Sequence, residues 1–284
     1  STLTFTTAPA ANTSFFAILL GSDNGGTVTP TDASVTPPKT TFFNTDPGNA
    51  ADLGMLHIKS GDSGASVSST SDELVIEGSS VGMSFLDATD GATRIAFGDS
   101  GDNDIGKIVY GHSSNQMEFV TNTATGLVID STGAVTKPLQ PAFRVSNGTQ
   151  NDVAINSNVT IIFSSEIYDK NSDFNTGTYT FTAPVTGRYL FAVTIVALNV
   201  DSAISYAQAK LVTSNHTTKI QTLESGADHF NEDAAYYQFH NTVIEEMDAN
   251  DTAYVQIRIQ GGAAQTDIDS DSNTGTLFHG YLLG

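Results

Sequence analysis

The chain has 284 residues, contains no cysteine, and carries a formal net charge of −20 from 31 acidic and 11 basic residues. The lack of cysteine excludes a disulfide scaffold, a thiolate zinc site and a cysteine nucleophile. An acidic surface repels phosphate backbones and anionic membranes, so we expect no nucleic-acid partner. The longest apolar run near the start, residues 15–20, is too short to cross a bilayer and follows no basic segment. We therefore expect neither membrane insertion nor a signal peptide.

The composition and the first 54 residues predict β-structure joined by a linker. Many Gly, Thr, Ser and Asn residues without long amphipathic periods indicate strands separated by tight turns. Residues 1–20 read as strand, turn and strand, which is typical of the end of a small β domain. Residues 21–54 begin with the Gly-, Thr- and Pro-rich GSDNGGTVTPTDASVTPP and predict a linker. Because Ser1 leads directly into a strand pattern, we expect the numbered chain to end a longer or processed polypeptide, whose missing N-terminal part would join other proteins.

Residues 55–140 predict a β-rich shaft formed by three chains. Short apolar clusters recur as LHI, LVIE, MSFL, RIAFG, KIVYG, MEFVT and LVID, each followed by a polar turn, which predicts a series of short strands. One copy would expose strand edges and could not bury both sides of these clusters. Three copies wound around one axis would bury them, so we expect an intertwined homotrimer.

The same region carries a family resemblance. RIAFGDSGDNDIGKIVYGHSSNQMEFVTN followed by GLVIDSTGAVTKP resembles stalk segments of bacteriophage tail fibres, and the opening LTFTTAPAANTSFFAILLG resembles an element of marine phage fibres. The resemblance implies a virion protein of a tailed phage, exposed on the particle.

Residues 141–284 predict a separate head. FNTGTYTFTAPVTGRYLF alternates β-formers and breaks at Ala183 and Pro184, which predicts two strands joined by a rigid corner, and GTLFHGYLLG predicts a final strand. These motifs resemble the C1q-like jelly roll, a head related to tumour necrosis factor. The resemblance implies an all-β protein in which the trimeric shaft precedes a C1q/TNF-like jelly-roll β-sandwich. It also implies recognition and not catalysis.

Aromatic residues of the head are the candidates for receptor binding. Tyr236 and Tyr237 follow HFNED, and their rings could stack on the apolar faces of sugars if they lie on the outer surface. Tyr206 and His229 are further candidates. Phe239 alternates with Gln238 on the same predicted strand and is expected to enter the core.

One acidic loop is the best metal candidate. In DIDSDSNTG, Asp267, Asp269, Asp271 and Asn273 occupy alternate positions, so a loop could gather their oxygens around Ca²⁺. The loop lacks the glycine and the bidentate glutamate of an EF-hand. The alternative is a solvated acidic loop between the last two strands.

No motif predicts an enzyme. There is no Gly-x-Ser-x-Gly elbow, no histidine pair has metal-helix spacing, and Glu245 and Glu246 are expected at a solvated loop edge. An active site between subunits would leave no motif, so polysaccharide depolymerase activity stays open.

The sequence thus predicts the C-terminal part of a trimeric phage tail fibre whose head binds a host cell-surface glycan or protein. Two alternatives remain. A purely structural virion appendage would share these features. A secreted C1q-like protein that binds a soluble ligand would usually carry a collagen-like or coiled-coil stalk, and the sequence has neither.

Overall fold

The computed structural model describes residues 56–224, 226–271 and 275–284. The predicted small β domain (1–20) and linker (21–54) lie outside these residues. The chain divides into two compact units, the first ending at Ser84 and the second running from Phe85 to Gly284. The predicted shaft, residues 55–140, therefore spans both units. Within the described residues no helix is long and apolar enough to span a membrane.

The described part of the first unit is a parallel pair of strands, β1 (Leu56–Lys59) and β2 (Leu74–Glu77). The buried carboxylate of Glu77 holds the pair together. It accepts hydrogen bonds from the Ser63 amide (2.8 Å) and hydroxyl (3.1 Å) and lies 2.9 Å from His57 Nε2 and 3.2 Å from Lys59 Nζ. The Ser63 amide and Lys59 lower the pKa of Glu77 to about 2, against the opposing effect of burial.

The second unit begins with a five-stranded antiparallel sheet, which we call the stalk sheet. Its strands pair in chain order: β3 (Ala92–Phe97), β4 (Gly106–Gly111), β5 (Gln116–Thr121), β6 (Ala124–Ile129) and β7 (Val135–Thr136). These strands, with β1 and β2, confirm the strand predictions for six of the seven apolar clusters. The prediction for MSFL is wrong, since residues 83–86 lie outside any strand. Leu86 is exposed, so among the described residues this cluster lacks the packing partner that a strand would need.

The two faces of the stalk sheet differ in polarity because side chains alternate across a strand. The register places Ile95, Ile108, Phe119 and Leu127 in one cross-strand row. The same face, which we call the apolar face, also carries Phe97, Tyr110, Met117, Ile129 and Val135. The opposite face is mixed and carries Arg94, Lys107, Gln116 and Glu118 together with Val109, Val120 and Val128. Phe97 is 57% exposed, and Ile95, Phe119 and Val135 are exposed as well.

A sandwich of two antiparallel sheets follows and confirms the predicted all-β jelly roll. The first sheet has the order β10-β8-β19-β13-β16, with β18 pairing β13. Its strands are β8 (Ala142–Ser146), β10 (Ser165–Asp169), β13 (Gly187–Val200), β16 (Ala234–Met247), β18 (Asp267–Ile268) and β19 (Leu277–Leu282).

The second sheet has the order β11-β12-β17-β14-β15, with β9 pairing β17. Its strands are β9 (Asn158–Thr160), β11 (Phe174–Asn175), β12 (Thr180–Thr182), β14 (Ile204–Thr213), β15 (Thr217–Glu224) and β17 (Thr252–Gly261). The short helix α1 (Gly226–His229) connects β15 to β16.

The core between the two sheets is built from aromatic rings. Phe143 lies among them, with ring centroids 4.8 Å from Phe181, 5.0 Å from Phe278 and 5.1 Å from Phe174. All four side chains are buried. Such pairs are stabilised by offset and edge-to-face geometry in addition to burial.

The corner predicted at Ala183 and Pro184 is confirmed, since it joins β12 to β13. The Ala183 amide donates to the carbonyl of Asp251 (2.8 Å), and the buried Tyr189 hydroxyl donates to the carbonyl of Val185 (2.7 Å). The corner is thus fixed to the β16–β17 turn on one side and to the start of β13 on the other.

Candidate binding cleft on the second sheet

An open polar cleft of about 620 Å³ lies on the outward face of β14 and β15 and reaches α1. Its principal lining residues are Tyr206, Gln208, Lys219, Thr222, Glu224 and Asp228. The cleft thus combines an aromatic ring, an amide, a hydroxyl and charges of both signs. Groups of these kinds can orient a ligand that forms hydrogen bonds.

Strand alternation places these side chains outward. On β14, Ala207, Ala209 and Leu211 are buried in the core, so Tyr206, Gln208 and Lys210 point away from it. The cross-strand register continues the row onto β15. Tyr206 pairs with Glu224, Gln208 with Thr222, and Lys210 with Lys219.

Hydrogen bonds fix the floor of the cleft. Gln208 Nε2 donates to the Thr222 hydroxyl (2.9 Å), and Arg258 Nε on β17 donates to the Tyr206 hydroxyl (3.0 Å). Arg258 Nη2 also donates to Gln260 Oε1 (2.9 Å). The Tyr206 ring is therefore held in place by an arginine from the neighbouring strand.

Three basic residues lie on neighbouring strands of the sheet face that carries the cleft, and one of them, Lys219, lines it. Lys210 is the register partner of Lys219, and Arg258 is the partner of Gln208, two residues from Lys210. Their hydrogen-bond partners are neutral: Lys210 Nζ donates to Asn158 Oδ1 (3.1 Å), and Arg258 contacts Tyr206 and Gln260. None of the ion pairs in the described residues includes any of the three. We call this group the basic cluster.

The structure separates the sequence-predicted aromatic candidates. Tyr206 lines the cleft, and His229 is exposed next to Asp228 in α1. Tyr236 is 72% exposed but lies on β16 of the first sheet. Tyr237 is half-buried, its ring centroid 4.9 Å from that of the buried Phe239. The expectation that Phe239 enters the core is confirmed.

Sequence reasoning missed Gln208, Lys219 and Thr222, and also the basic cluster. The alternating polar residues of β14 and β15 are a signal that their side chains face outward. The register that sets Lys210 opposite Lys219, and Arg258 beside them, depends on which strands pair, and the order β17-β14-β15 is not visible in the sequence.

Two carboxylates of the acidic loop predicted to bind Ca²⁺ accept hydrogen bonds from other groups of the protein. Asp267 accepts hydrogen bonds from the Asp152 amide (2.9 Å) and from Asn199 Nδ2 (3.3 Å). Asp269 accepts one from the amide of Asp271 (3.1 Å). Asn273 lies outside the described residues. Among the described residues no group of three or more His, Asp or Glu side chains is placed to hold a metal, and the Ca²⁺ site stays a prediction.

The expectation for Glu245 is wrong. It lies within β16 and is buried. Its carboxylate accepts a hydrogen bond from the Thr218 hydroxyl (2.6 Å) and pairs with His216 Nε2 (2.6 Å). Both partners come from the second sheet or the turn before it. Glu245 therefore links the two sheets at the β15–β16 edge of the sandwich.

The outward face of the first sheet mixes polar residues with exposed apolar and aromatic ones. Tyr236, Ile244 and Tyr281 are exposed there. His279 also lies on this face, and burial, with the nearby charges of Arg144 and His240, lowers its pKa below the ordinary 6.5. We call this surface the first-sheet face.

A second cavity, of about 610 Å³, adjoins the segment that joins the stalk sheet to the sandwich. Its lining is mainly apolar, with Leu139, Pro141, Pro184 and Leu282 among its residues, and includes Asp173. Burial, together with the charge of Asp169, raises the pKa of Asp173. One of its carboxylate oxygens is buried without a hydrogen-bond partner among the described residues.

A family model described as the C1q domain matches residues 142–283, half of the chain. A comparison with curated proteins found no match. Solved structures with similarity include the globular domain of zebrafish complement 1qA protein, at 19% identity and a TM-score of 0.35, covering 51% of this chain and 98% of that one. Murine APRIL at pH 8.0 has 11% identity and a TM-score of 0.37, covering 51% of this chain and 99% of that one.

Proposed function

The chain belongs to the C1q family, and we propose that it is part of a trimeric tail fibre protein of a tailed bacteriophage. In this proposal the C1q domain is a binding head without catalytic activity, and the stalk sheet belongs to the shaft that presents it. The protein is exposed on the virion and attaches the particle to a glycan or protein of the host cell surface.

The apolar face of the stalk sheet is the observation that carries the proposal. Nine apolar or aromatic side chains share one face of the sheet, whereas the other face mixes valines with charged residues, and Phe97, Phe119 and Val135 remain exposed in a single chain. Soluble proteins rarely leave a continuous apolar surface of this kind uncovered. Three copies that turn their apolar faces towards a common axis would cover it.

The head offers a second surface for the same assembly. The first-sheet face exposes Tyr236, Ile244 and Tyr281 within the unit that contains the stalk sheet. Obligate oligomers bury large apolar interfaces, and these can replace the disulfides that a chain without cysteine lacks. Association through both surfaces would leave the second sheet, with its cleft, facing outward.

Attachment would then depend on valency. Three clefts on one fibre, and several fibres on one particle, convert weak single contacts into long-lived attachment through a high local concentration. The cleft around Tyr206 supplies the hydrogen-bonding groups and the aromatic ring that such weak contacts with a surface ligand require.

A binding experiment tests the proposal. Fluorescently labelled protein would be added to candidate bacterial hosts, beside protein from which residues 141–284 have been removed. We expect binding by the intact protein and loss of binding without the head. Release of sugar fragments from the bound surface would instead indicate a depolymerase. If the intact protein binds no host of a phage that carries it, a purely structural role in the virion is the better account.

The family match favours one second candidate, a secreted C1q-like protein that binds a soluble ligand. This candidate shares the head and the cleft, but it does not need a bacterial surface. Strong retention of a soluble ligand by protein that ignores every bacterial surface would favour it over the fibre.

A further inference from the structure

We propose that the cleft on the second sheet binds an acidic saccharide, with the anionic group over the basic cluster and the sugar hydroxyls in the cleft. The inference rests on the proposed function, since it names the chemical class of the ligand that the head would bind. It depends on the placement of Lys210, Lys219 and Arg258 next to the cleft residues.

The basic cluster is unusual for this chain. The chain has 31 acidic and only 11 basic residues, yet three of the bases lie on adjacent strands of one sheet face. Lys210 and Lys219 are direct cross-strand neighbours, and the Lys210 side chain extends across β17 to Asn158 on β9. The positive charges are therefore spread over this sheet face, where a ligand anion would be attracted to them.

The three bases are also available to a ligand. Lys219 is exposed, and Lys210 and Arg258 contact only neutral groups in the described structure. An ammonium or guanidinium group whose partners are neutral retains its full charge for an incoming anion, and hydrogen bonds between ions are stronger than neutral ones. The placement therefore favours a carboxylate, sulfate or phosphate group.

The neighbouring cleft fits the rest of a sugar. Glu224 and Asp228 are acceptors for hydroxyl donors, and the Gln208–Thr222 pair offers both donor and acceptor atoms. The Tyr206 ring, fixed by Arg258, provides an aromatic surface for the apolar face of a pyranose. Acids at one end and bases at the other would also orient the ligand, because its anionic group is repelled from the α1 end.

Matched pairs of saccharides test the inference on the intact protein. The probes are tetragalacturonic acid and its methyl ester, a sulfated galactan oligosaccharide and its desulfated form, and a phosphorylated mannan oligosaccharide and plain mannan. Titration calorimetry should show at least one acidic member binding about tenfold more tightly than its neutral partner, with an affinity that falls as salt is added. Polyglutamate, an anion without sugar, should bind more weakly than that saccharide.

Two variants locate the site. Lys219→Gln should weaken the acidic saccharide about tenfold and leave the neutral partner unchanged. Lys170→Gln makes the same change of charge at an exposed position after β10 of the first sheet and should leave both affinities unchanged. Because Lys219 is exposed, Lys219→Gln should leave the melting temperature unchanged, which separates lost binding from misfolding.

Three results would overturn the inference: equal affinity for acidic and neutral members, binding of none of the acidic probes, or equal weakening by the two variants. Binding of polyglutamate as tight as that of the saccharide would overturn the sugar assignment. If cells still bind the intact protein in any of these cases, the proposed function stands and only the ligand class is wrong.

Discussion

Replacing Phe97 by aspartate on the apolar face of the stalk sheet should dissociate the trimer without unfolding the chain. Phe97 is 57% exposed in one chain, so the change removes few contacts within that chain. A fully buried aromatic side chain removes about 200 Å² from water, so about 110 Å² of Phe97 remains for an interface. At ~25 cal/mol per Å², its loss weakens association by about 2.7 kcal/mol per subunit and ~8 kcal/mol per trimer. Burying the new carboxylate adds a further cost.

Ala96→Asp provides the matched control. Ala96 is the preceding residue, it is exposed on the opposite face of the same strand, and its cross-strand partner is Lys107. The new carboxylate would sit opposite a lysine and away from the apolar face, so the assembly should persist. Light scattering after size exclusion at several concentrations gives the mass of each variant. Equal association of the two variants at every concentration would refute the assignment of the apolar face to the interface.

Three further predictions concern the head. Gly280→Ala should destabilise the head by about 2 kcal/mol, because a Cβ at this position would lie 2.7 Å from a ring carbon of the buried Phe191. The control is Gly126→Ala, where the added Cβ would have no neighbouring atom nearer than 3.9 Å, so its melting temperature should match that of the unchanged protein. Because the pKa of His279 is lowered in the folded state, the head should lose stability as the pH falls from the ordinary pKa of 6.5 towards the folded value. Thermal scans of His279→Gln should show a smaller loss of melting temperature over this range, and equal losses in both proteins would contradict this. The raised pKa of Asp173 means that its charged form is unfavourable, so Asp173→Asn should raise the melting temperature at neutral pH and lose that advantage in acid, and an advantage independent of pH would point to another cause.

Much of the strand content could be predicted from local patterns. β4, β5 and β6 coincide with the clusters KIVYG, MEFVT and LVID, since alternating apolar residues bounded by polar turns determine strands locally. The corner at Pro184 also follows from the local sequence, because proline cannot donate a hydrogen bond to a neighbouring strand and so ends a strand.

Side-chain environments that depend on distant strands could not be predicted in the same way. Glu245 precedes a polar turn and was therefore expected in solvent, but the approach of β15 brings Thr218 to its carboxylate and buries it. MSFL has the composition of a strand but lacks a partner in the described chain. In both cases the deciding contact comes from outside the local sequence.

The candidate cleft also combines a residue that the local sequence indicates with residues whose position depends on strand pairing. Tyr206 could be named from the sequence as an aromatic residue in a strand of the head. Lys219 and Arg258 become part of the same surface only through the pairing of β14 with β15 and β17, which places them beside Lys210. The predicted Tyr236 lies on the first sheet because β16 pairs with β13, a pairing of residues about forty positions apart in the chain.

The central claim is that several heads, held together by the shaft, attach the protein to a host surface. The rate of dissociation from that surface tests this claim most directly. The intact protein and Phe97→Asp would be bound to the same cells and then washed. We expect both to bind, with Phe97→Asp leaving the surface about 100-fold faster or more, because it has lost the added heads and kept the single site. Equal rates of dissociation, measured after light scattering has confirmed that only the variant is a monomer, would contradict attachment by multiple heads.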